Sequence, residues 1–367
     1  MRIALIAPPF IPVPPVGYGG TELFVAHLAN GLKGRGHDVV VYANGESRVD
    51  CELRWRYRHS HWPVREHAEA QLQNADHQAW AIHDASRHAD LLHINDAVGV
   101  PLTTFVDQPV VATVHHPNEP LLSALYLKYP AIHYAAISAA QARGEPMPNV
   151  HVVHHGIDLA QYRAAAERDG YVVFLGRIAP CKGAHNAIAA AERAGVRLIL
   201  AGEIQPLFKD YWERQVRPHI GGNIEYVGEA DLAMKNGLLS RARALLFPIE
   251  WEEPFGLAMI EAMACGAPVL AFAGGSVSEI VRDGVSGWIC RDVADMADRI
   301  AGPMVSPDSC RDWVSRNFSV QRMVDGYLAV YARASKRAPA RTANIERELG
   351  RAIAPGAVAQ RIRARSD

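Results

Sequence analysis

Two carboxylates, Glu253 and Glu261, stand eight positions apart in the run Glu253-Pro254-Phe255-Gly256-Leu257-Ala258-Met259-Ile260-Glu261. Eight residues make a little over two helical turns, so groups at this spacing can share one face. Pro254 suits a helix N-terminus, and the pattern runs on helically to Cys265-Gly266. A helix start presents N–H groups and the positive end of its dipole to an anion, and a carboxylate further along can accept bonds from sugar hydroxyls. The segment is therefore suited to a phosphorylated sugar compound. Two glutamates at this spacing would alone fit a solvated helix face better; the whole string carries the signal.

Three other segments carry chemistry. Gly176-Arg177-Ile178-Ala179-Pro180-Cys181-Lys182-Gly183 follows an apolar run and precedes a helical one, and its two cations could neutralise a departing diphosphate without a metal ion. Val16-Gly17-Tyr18-Gly19-Gly20-Thr21-Glu22 is a glycine loop before a helix, where missing Cβ atoms let backbone approach a ligand; it is not GxGxxG. Glu22 there reads as a first-turn acid complementing the dipole, or as a group facing a second substrate. Thr113-Val114-His115-His116-Pro117 ends a strand. The remaining histidines, including His59, His61, His83, His88 and His93, lack zinc-binding spacing and read as solvated or cleft-lining.

Together these strings closely resemble retaining glycosyltransferases of the two-domain GT-B fold, family 4. The resemblance covers nearly the whole chain to about residue 333. It implies that Glu261 binds the ribose of a nucleotide sugar and that Glu253 lies beside the transferred sugar. Phe255, Gly256 and Leu257 would contact sugar and diphosphate through their backbone. Arg177 and Lys182 would meet the leaving diphosphate, and Gly19 and Gly20 would touch it from the opposite domain. His115 would bond the donor sugar, with His116 an unresolved rival. Ile137-Ser138, Gly274-Gly275 and Glu279-Ile280-Val281 continue the family pattern, whereas His155 stands where the family commonly has Asn and is assigned no role.

The implied reaction moves a hexose from a nucleotide-diphosphate sugar, UDP-glucose or another UDP-hexose first and GDP-mannose second, to an acceptor the sequence leaves open. It implies no cofactor and no metal ion. Two alternatives stay open: a nucleotide-sugar 2-epimerase of the same architecture, and a non-catalytic sugar-nucleotide binding protein. A dinucleotide dehydrogenase fits poorly without GxGxxG.

The elements that must position these groups are short, continuously apolar strands alternating with helices, as expected of parallel sheets buried on both faces. Candidate strands are Ile3–Ala7, Asp38–Ala43, Leu91–Asn95, Val110–His115, Ala135–Ser138 and Val150–His154, then Tyr171–Gly176, Arg197–Ala201, Ile224–Val227, Ala244–Pro248 and Pro268–Phe272. This predicts an α/β chain of two Rossmann-like doubly wound domains facing across a cleft, residues 1–160 on the acceptor side and 170–317 on the nucleotide side. A helix over 318–333 would cross back to the first domain. Residues 334–367 form a basic extension, read first as a solvated tail and alternatively as a contact for an anionic membrane surface or a partner chain.

With 367 residues, 21% charged and a formal net charge of −1, the chain fits a soluble two-domain enzyme and gives no sign of a nucleic-acid partner. Five unpaired-looking cysteines and an N-terminus that runs directly into a proline-broken apolar strand point to the cytoplasm.

Overall fold

A computed structural model describes residues 1–17, 19–64 and 66–336. The first sheet has seven parallel strands: β1 (Arg2–Ile6), β2 (Asp38–Ala43), β3 (Glu52–Trp55), β4 (Leu91–Ile94), β5 (Val110–Val114), β6 (His133–Ala136) and β7 (Val150–Val152), in the order β3-β2-β1-β4-β5-β6-β7. The second has six: β8 (Val172–Leu175), β9 (Leu198–Ala201), β10 (Ile224–Tyr226), β11 (Ala244–Phe247), β12 (Val269–Phe272) and β13 (Gly287–Cys290), in the order β10-β9-β8-β11-β12-β13. In both sheets the order reverses beside the first strand, and ligands of such sheets bind beyond the strands' carboxyl ends at that reversal.

The continuous apolar runs follow from burial on both faces. Ile3 and Leu5 enter one core with the helices Gly20–Gly34 and Val320–Lys336, while Ala4 and Ile6 enter another with the helix His67–Ala85. Val172 and Phe174 divide from Val173 in the same way in the second sheet.

Two strands were not predicted, both at sheet edges. β3 reads Glu-Leu-Arg-Trp and is half-exposed, and its polar members join surface ion pairs such as Arg54 with Asp84 at 2.5 Å. β13 begins at Gly287, where a Cβ would come within 2.0 Å of the Val269 carbonyl, so backbone proximity rather than an apolar run marks it.

The chain crosses between the sheets around His154–Asp158 and returns at Phe318–Val320. The crossings touch: Ile157 N–H donates to Phe318 O at 2.9 Å, and Val320 N–H to Ile157 O at 3.1 Å. The helix Val320–Lys336 then packs on the first sheet. Its Tyr331 and Tyr327 hydroxyls meet His93 and Thr113 at 2.7 and 2.9 Å, and a Cβ on Gly31 would strike Val324 at 2.4 Å. No helix among the described residues is long and apolar enough to cross a membrane. The basic extension, beyond its first residues 334–336, lies outside the described residues.

Candidate active site

After β11 the chain turns through Glu250-Trp251-Glu252-Glu253 into the helix Leu257–Ala264. The turn depends on Gly256, whose φ of 83° lies in the left-handed region, and no side chain caps the helix it starts. Neighbouring backbone pins the turn: Ser276 N–H donates to Glu253 O at 2.9 Å and Ser276 Oγ to Phe255 O at 2.8 Å.

Both carboxylates are buried, and each has a cation. Glu253, 6% exposed, accepts from Lys182 Nζ at 2.6 Å and Trp251 Nε1 at 2.9 Å. Glu261, 3% exposed, accepts from Lys235 Nζ at 2.6 Å and the Tyr162 hydroxyl at 3.2 Å. Burial and the Glu261 charge push the Tyr162 hydroxyl far above its ordinary value, so it stays a donor. Buried charges persist only when paired in this way.

Lys182 is placed by a short 3-10 turn, Pro180–Lys182, beyond β8. The next residue must be glycine: Gly183 has φ 73°, and a Cβ there would lie 1.9 Å from the Pro248 carbonyl. The ammonium sits 4.4 Å from the Trp251 ring centroid, a cation–π distance. Arg177 donates to Gln205 Oε1 at 3.3 Å and lies over Phe208, while its Nε is buried without a hydrogen-bond partner among the described residues.

The first domain supplies the opposite wall. Gly19 has φ 148° and begins the helix Gly20–Gly34, again with no side-chain cap. A Cβ on Gly20 would stand 3.5 Å from Leu257 Cδ1, so the glycine loop faces the Leu257 helix directly. A Cβ on Gly17 would meet Glu229 at 2.3 Å.

His115 leaves the end of β5. Asn95 Nδ2 donates to Ile6 O at 3.2 Å, which fixes Asn95 Oδ1 as the acceptor 3.1 Å from His115 Nε2. The ring thus carries its proton on Nε2 and keeps Nδ1 as an acceptor. Burial lowers its pKa to about 3, with His116 adding to the effect, so it is neutral at ordinary pH. His116 instead meets Pro117 O and the Tyr126 hydroxyl, both at 2.7 Å.

These groups line one cavity of about 670 Å³. The structure brings all the predicted residues to its wall: Gly19, Gly20, His115, Arg177, Lys182, Glu253, Phe255, Gly256, Leu257 and Glu261. Residues 18–161 match the family model "Glycosyltransferase Family 4", and residues 159–319 match "Glycosyl transferases group 1". The chain is a GT-B glycosyltransferase of this family.

The glycosyltransferase is 27% identical to the glycogen synthase of Mycobacterium tuberculosis over 92% of this chain and 95% of that protein. Among solved structures it resembles AviGT4, a glycosyltransferase involved in avilamycin A biosynthesis (TM-score 0.70, 24% identity, 91% of this chain and 98% of that one). It also resembles HepE of Anabaena in complex with UDP and glucose (TM-score 0.72, 18% identity, 90% and 99%).

Several wall residues of the glycosyltransferase were not anticipated. His155 is buried, stacks on His115 at 5.6 Å between centroids and meets the Phe255 ring edge-on at 4.9 Å. His27 also lines the cavity, its pKa lowered to about 4 by burial. Lys235 comes from the face of the helix Leu232–Arg241, where nothing in the sequence distinguishes it from a solvated lysine. Trp251, two residues before Glu253, had a weak signal in its adjacency. Among the described residues no group of three or more His, Cys, Asp or Glu is placed to hold a metal ion.

Proposed function

We propose that the cleft transfers a hexose from a UDP-sugar to an acceptor hydroxyl with retention at the anomeric carbon. The observation that carries this reading is the pairing of Glu253 with Lys182 in the turn before the uncapped helix Leu257–Ala264, and of Glu261 with Lys235 within that helix, whose start faces Gly20. Buried carboxylates on one side of an electropositive helix end suit a ligand that presents hydroxyls and a diphosphate together.

In this reading Glu261 accepts bonds from the ribose hydroxyls. The diphosphate lies at the N-terminus of Leu257–Ala264, approached from across the cleft by Gly19 and Gly20. Arg177 and Lys182 stabilise charge as the bond from the anomeric carbon to the phosphate oxygen breaks. The acceptor oxygen attacks from the same face, and the leaving phosphate oxygen takes its proton. Neutral His115 accepts a sugar hydroxyl through Nδ1, and Glu253 orients the sugar rather than attacking it. His116, with both ring nitrogens engaged nearby, is the weaker candidate for the sugar contact.

UDP-glucose or another UDP-hexose is favoured over GDP-mannose, supported by the UDP and glucose bound to HepE. No metal ion is assigned a role. The acceptor enters beside Pro14–Gly17 and beside His116, Pro117 and Glu119, which line the first-domain wall. We place the enzyme in the cytoplasm, a setting that suits its five free cysteines.

The test is NMR of reactions holding UDP-glucose, UDP-galactose, UDP-N-acetylglucosamine or GDP-mannose with a panel of hydroxylated acceptors and EDTA. An α-linked product released with UDP supports the proposal. A β-linked product would contradict retention, and epimerisation of UDP-N-acetylglucosamine without acceptor would replace transfer with epimerase activity.

A further inference from the structure

Glu279 does not line the cleft, yet it binds both domains. It sits on the short helix Val277–Ile280 of the second domain with its side chain 18% exposed. Its Oε2 accepts from Ala139 N–H at 2.7 Å and from His154 Nε2 at 2.9 Å, and its Oε1 accepts from Ala140 N–H at 2.6 Å. Ala139 and Ala140 open a helix just after β6 of the first sheet, and His154 lies in the chain crossing between the domains. Ser138 Oγ takes the next amide, Gln141 N–H, at 3.0 Å. The second domain thus completes the cap of a first-domain helix. Burial alone would raise the Glu279 pKa, but the bonds from His154 and the two amides hold it below the ordinary carboxylate range.

The same short segment holds the donor loop. Glu279 N–H donates to Ser276 O at 2.8 Å, and Ser276 in turn bonds the backbone of Glu253 and Phe255. Gly275 N–H donates to Glu252 Oε2 at 2.6 Å, and a Cβ on Gly275 would lie 2.2 Å from Glu253 O, so the two segments fit backbone to backbone. The Phe255 ring then meets His155 of the crossing chain.

We propose that Glu279 is a positioning residue that latches the two domains closed and, through Gly275 and Ser276, sets the Glu253–Leu257 loop for the donor only while latched. Opening the domains withdraws both first-domain amides, Ala139 and Ala140, from the carboxylate together, so that part of the latch is made or lost as a unit. The role assigned to the loop rests on the proposed function; the mechanical coupling does not.

Hydrogen exchange read by mass spectrometry on the full chain tests this, comparing wild type with Glu279→Ala and Glu279→Gln, each with and without UDP. The alanine variant should exchange the amides of residues 139–141 and those of 252–257 at least about tenfold faster, while β5 and β12 keep wild-type protection. The glutamine variant, which keeps one acceptor oxygen, should fall between. Faster exchange at 139–141 with wild-type rates at 252–257 would overturn the coupling, because a purely local cap would behave that way. If the alanine variant loses protection throughout, the same criteria apply to the glutamine variant. UDP that fails to slow exchange at 253–261 in wild type counts against the nucleotide reading alone, since the latch is read without ligand.

Discussion

Lys182 Nζ and Glu253 Oε2 lie 2.6 Å apart, with side chains 16% and 7% exposed, so the two groups expected to flank the transferred sugar and its diphosphate neutralise each other across two loops of the second domain. Neither charge would be tolerated there alone. In the proposed reaction the donor's diphosphate would compete with Glu253 for the same ammonium, which would tie sugar placement to leaving-group stabilisation.

Lys182→Ala should therefore act on two levels. The buried Glu253 loses its cation, which costs about 3–5 kcal/mol of stability when one partner of such a pair is removed. Turnover should fall by roughly 10²–10³-fold, more than UDP affinity, because the developing charge of the leaving group is met mainly in the transition state. Thermal unfolding, calorimetric UDP binding and steady-state rates separate these effects. Equal losses in binding and turnover would make Lys182 a ground-state ligand only.

Glu261 and Lys235 form the second pair, and it predicts an asymmetry. Lys235→Ala leaves a carboxylate that is 3% exposed with Tyr162 as its remaining hydrogen-bond partner, so it should destabilise the fold more than Lys235→Met combined with Glu261→Gln. Urea midpoints of the single and double variants check this. A double variant less stable than the single would contradict it.

A Cβ on Gly20 would itself fit, in ordinary contact with the opposite wall, and only larger branches would press on it. That Cβ position lies 3.5 Å from Leu257 Cδ1 of the other domain, so Gly20→Val should wedge the cleft open. Turnover should drop at least about tenfold with the melting temperature nearly unchanged, because the site is a helix start at the cleft rather than core. Small-angle scattering in the presence of UDP should show a larger radius of gyration than wild type. An unchanged radius and rate would remove the glycine loop from the closed site.

Stability should decline in mild acid. His27 and His77 are lowered to about 4, and His93 and His115 to about 3, all chiefly by burial, and His155 is lowered too. Each imidazole is neutral in the fold, whereas the unfolded chain takes up protons below about 6.5. Their contribution is thus complete above pH 6.5 and lost as pH falls toward 4, by at most roughly 1.4 kcal/mol per pH unit for each. Glu22, Asp96 and Glu203 run the other way: burial raises all three, Glu22 to about 7, so its contribution is present below its ordinary 4.5 and lost as pH rises to 7. The five histidines outnumber these three acids, and the melting temperature should drop between pH 7 and 5. A flat profile over that range would contradict the burial of these rings.

The strands and the helix Leu257–Ala264 were legible because their signals are local. A strand buried on both faces is apolar throughout, and Glu253 to Glu261 needs only one turn and one helix. The edge strands β3 and β13 were not legible, since half-exposed residues and a glycine seated on neighbouring backbone leave no hydrophobic period. Lys235 and His155 were missed for a different reason. Their contacts, to Glu261 across 26 residues and to His115 and Phe255 across the domain crossing, exist only after folding. Glu279 stood in a recognised string, but its bonds to Ala139 and Ala140 span 140 and 139 positions and carry no sequence spacing at all.

The most direct test is calorimetric titration of UDP into the wild-type protein and Glu261→Ala, with EDTA present. Wild type is expected to bind, and the variant, still folded, to bind about 10–100-fold more weakly through loss of a charge-assisted contact to the ribose. No binding by folded wild type, or equal affinity in the two proteins, would contradict the assignment of this cleft to a nucleotide sugar.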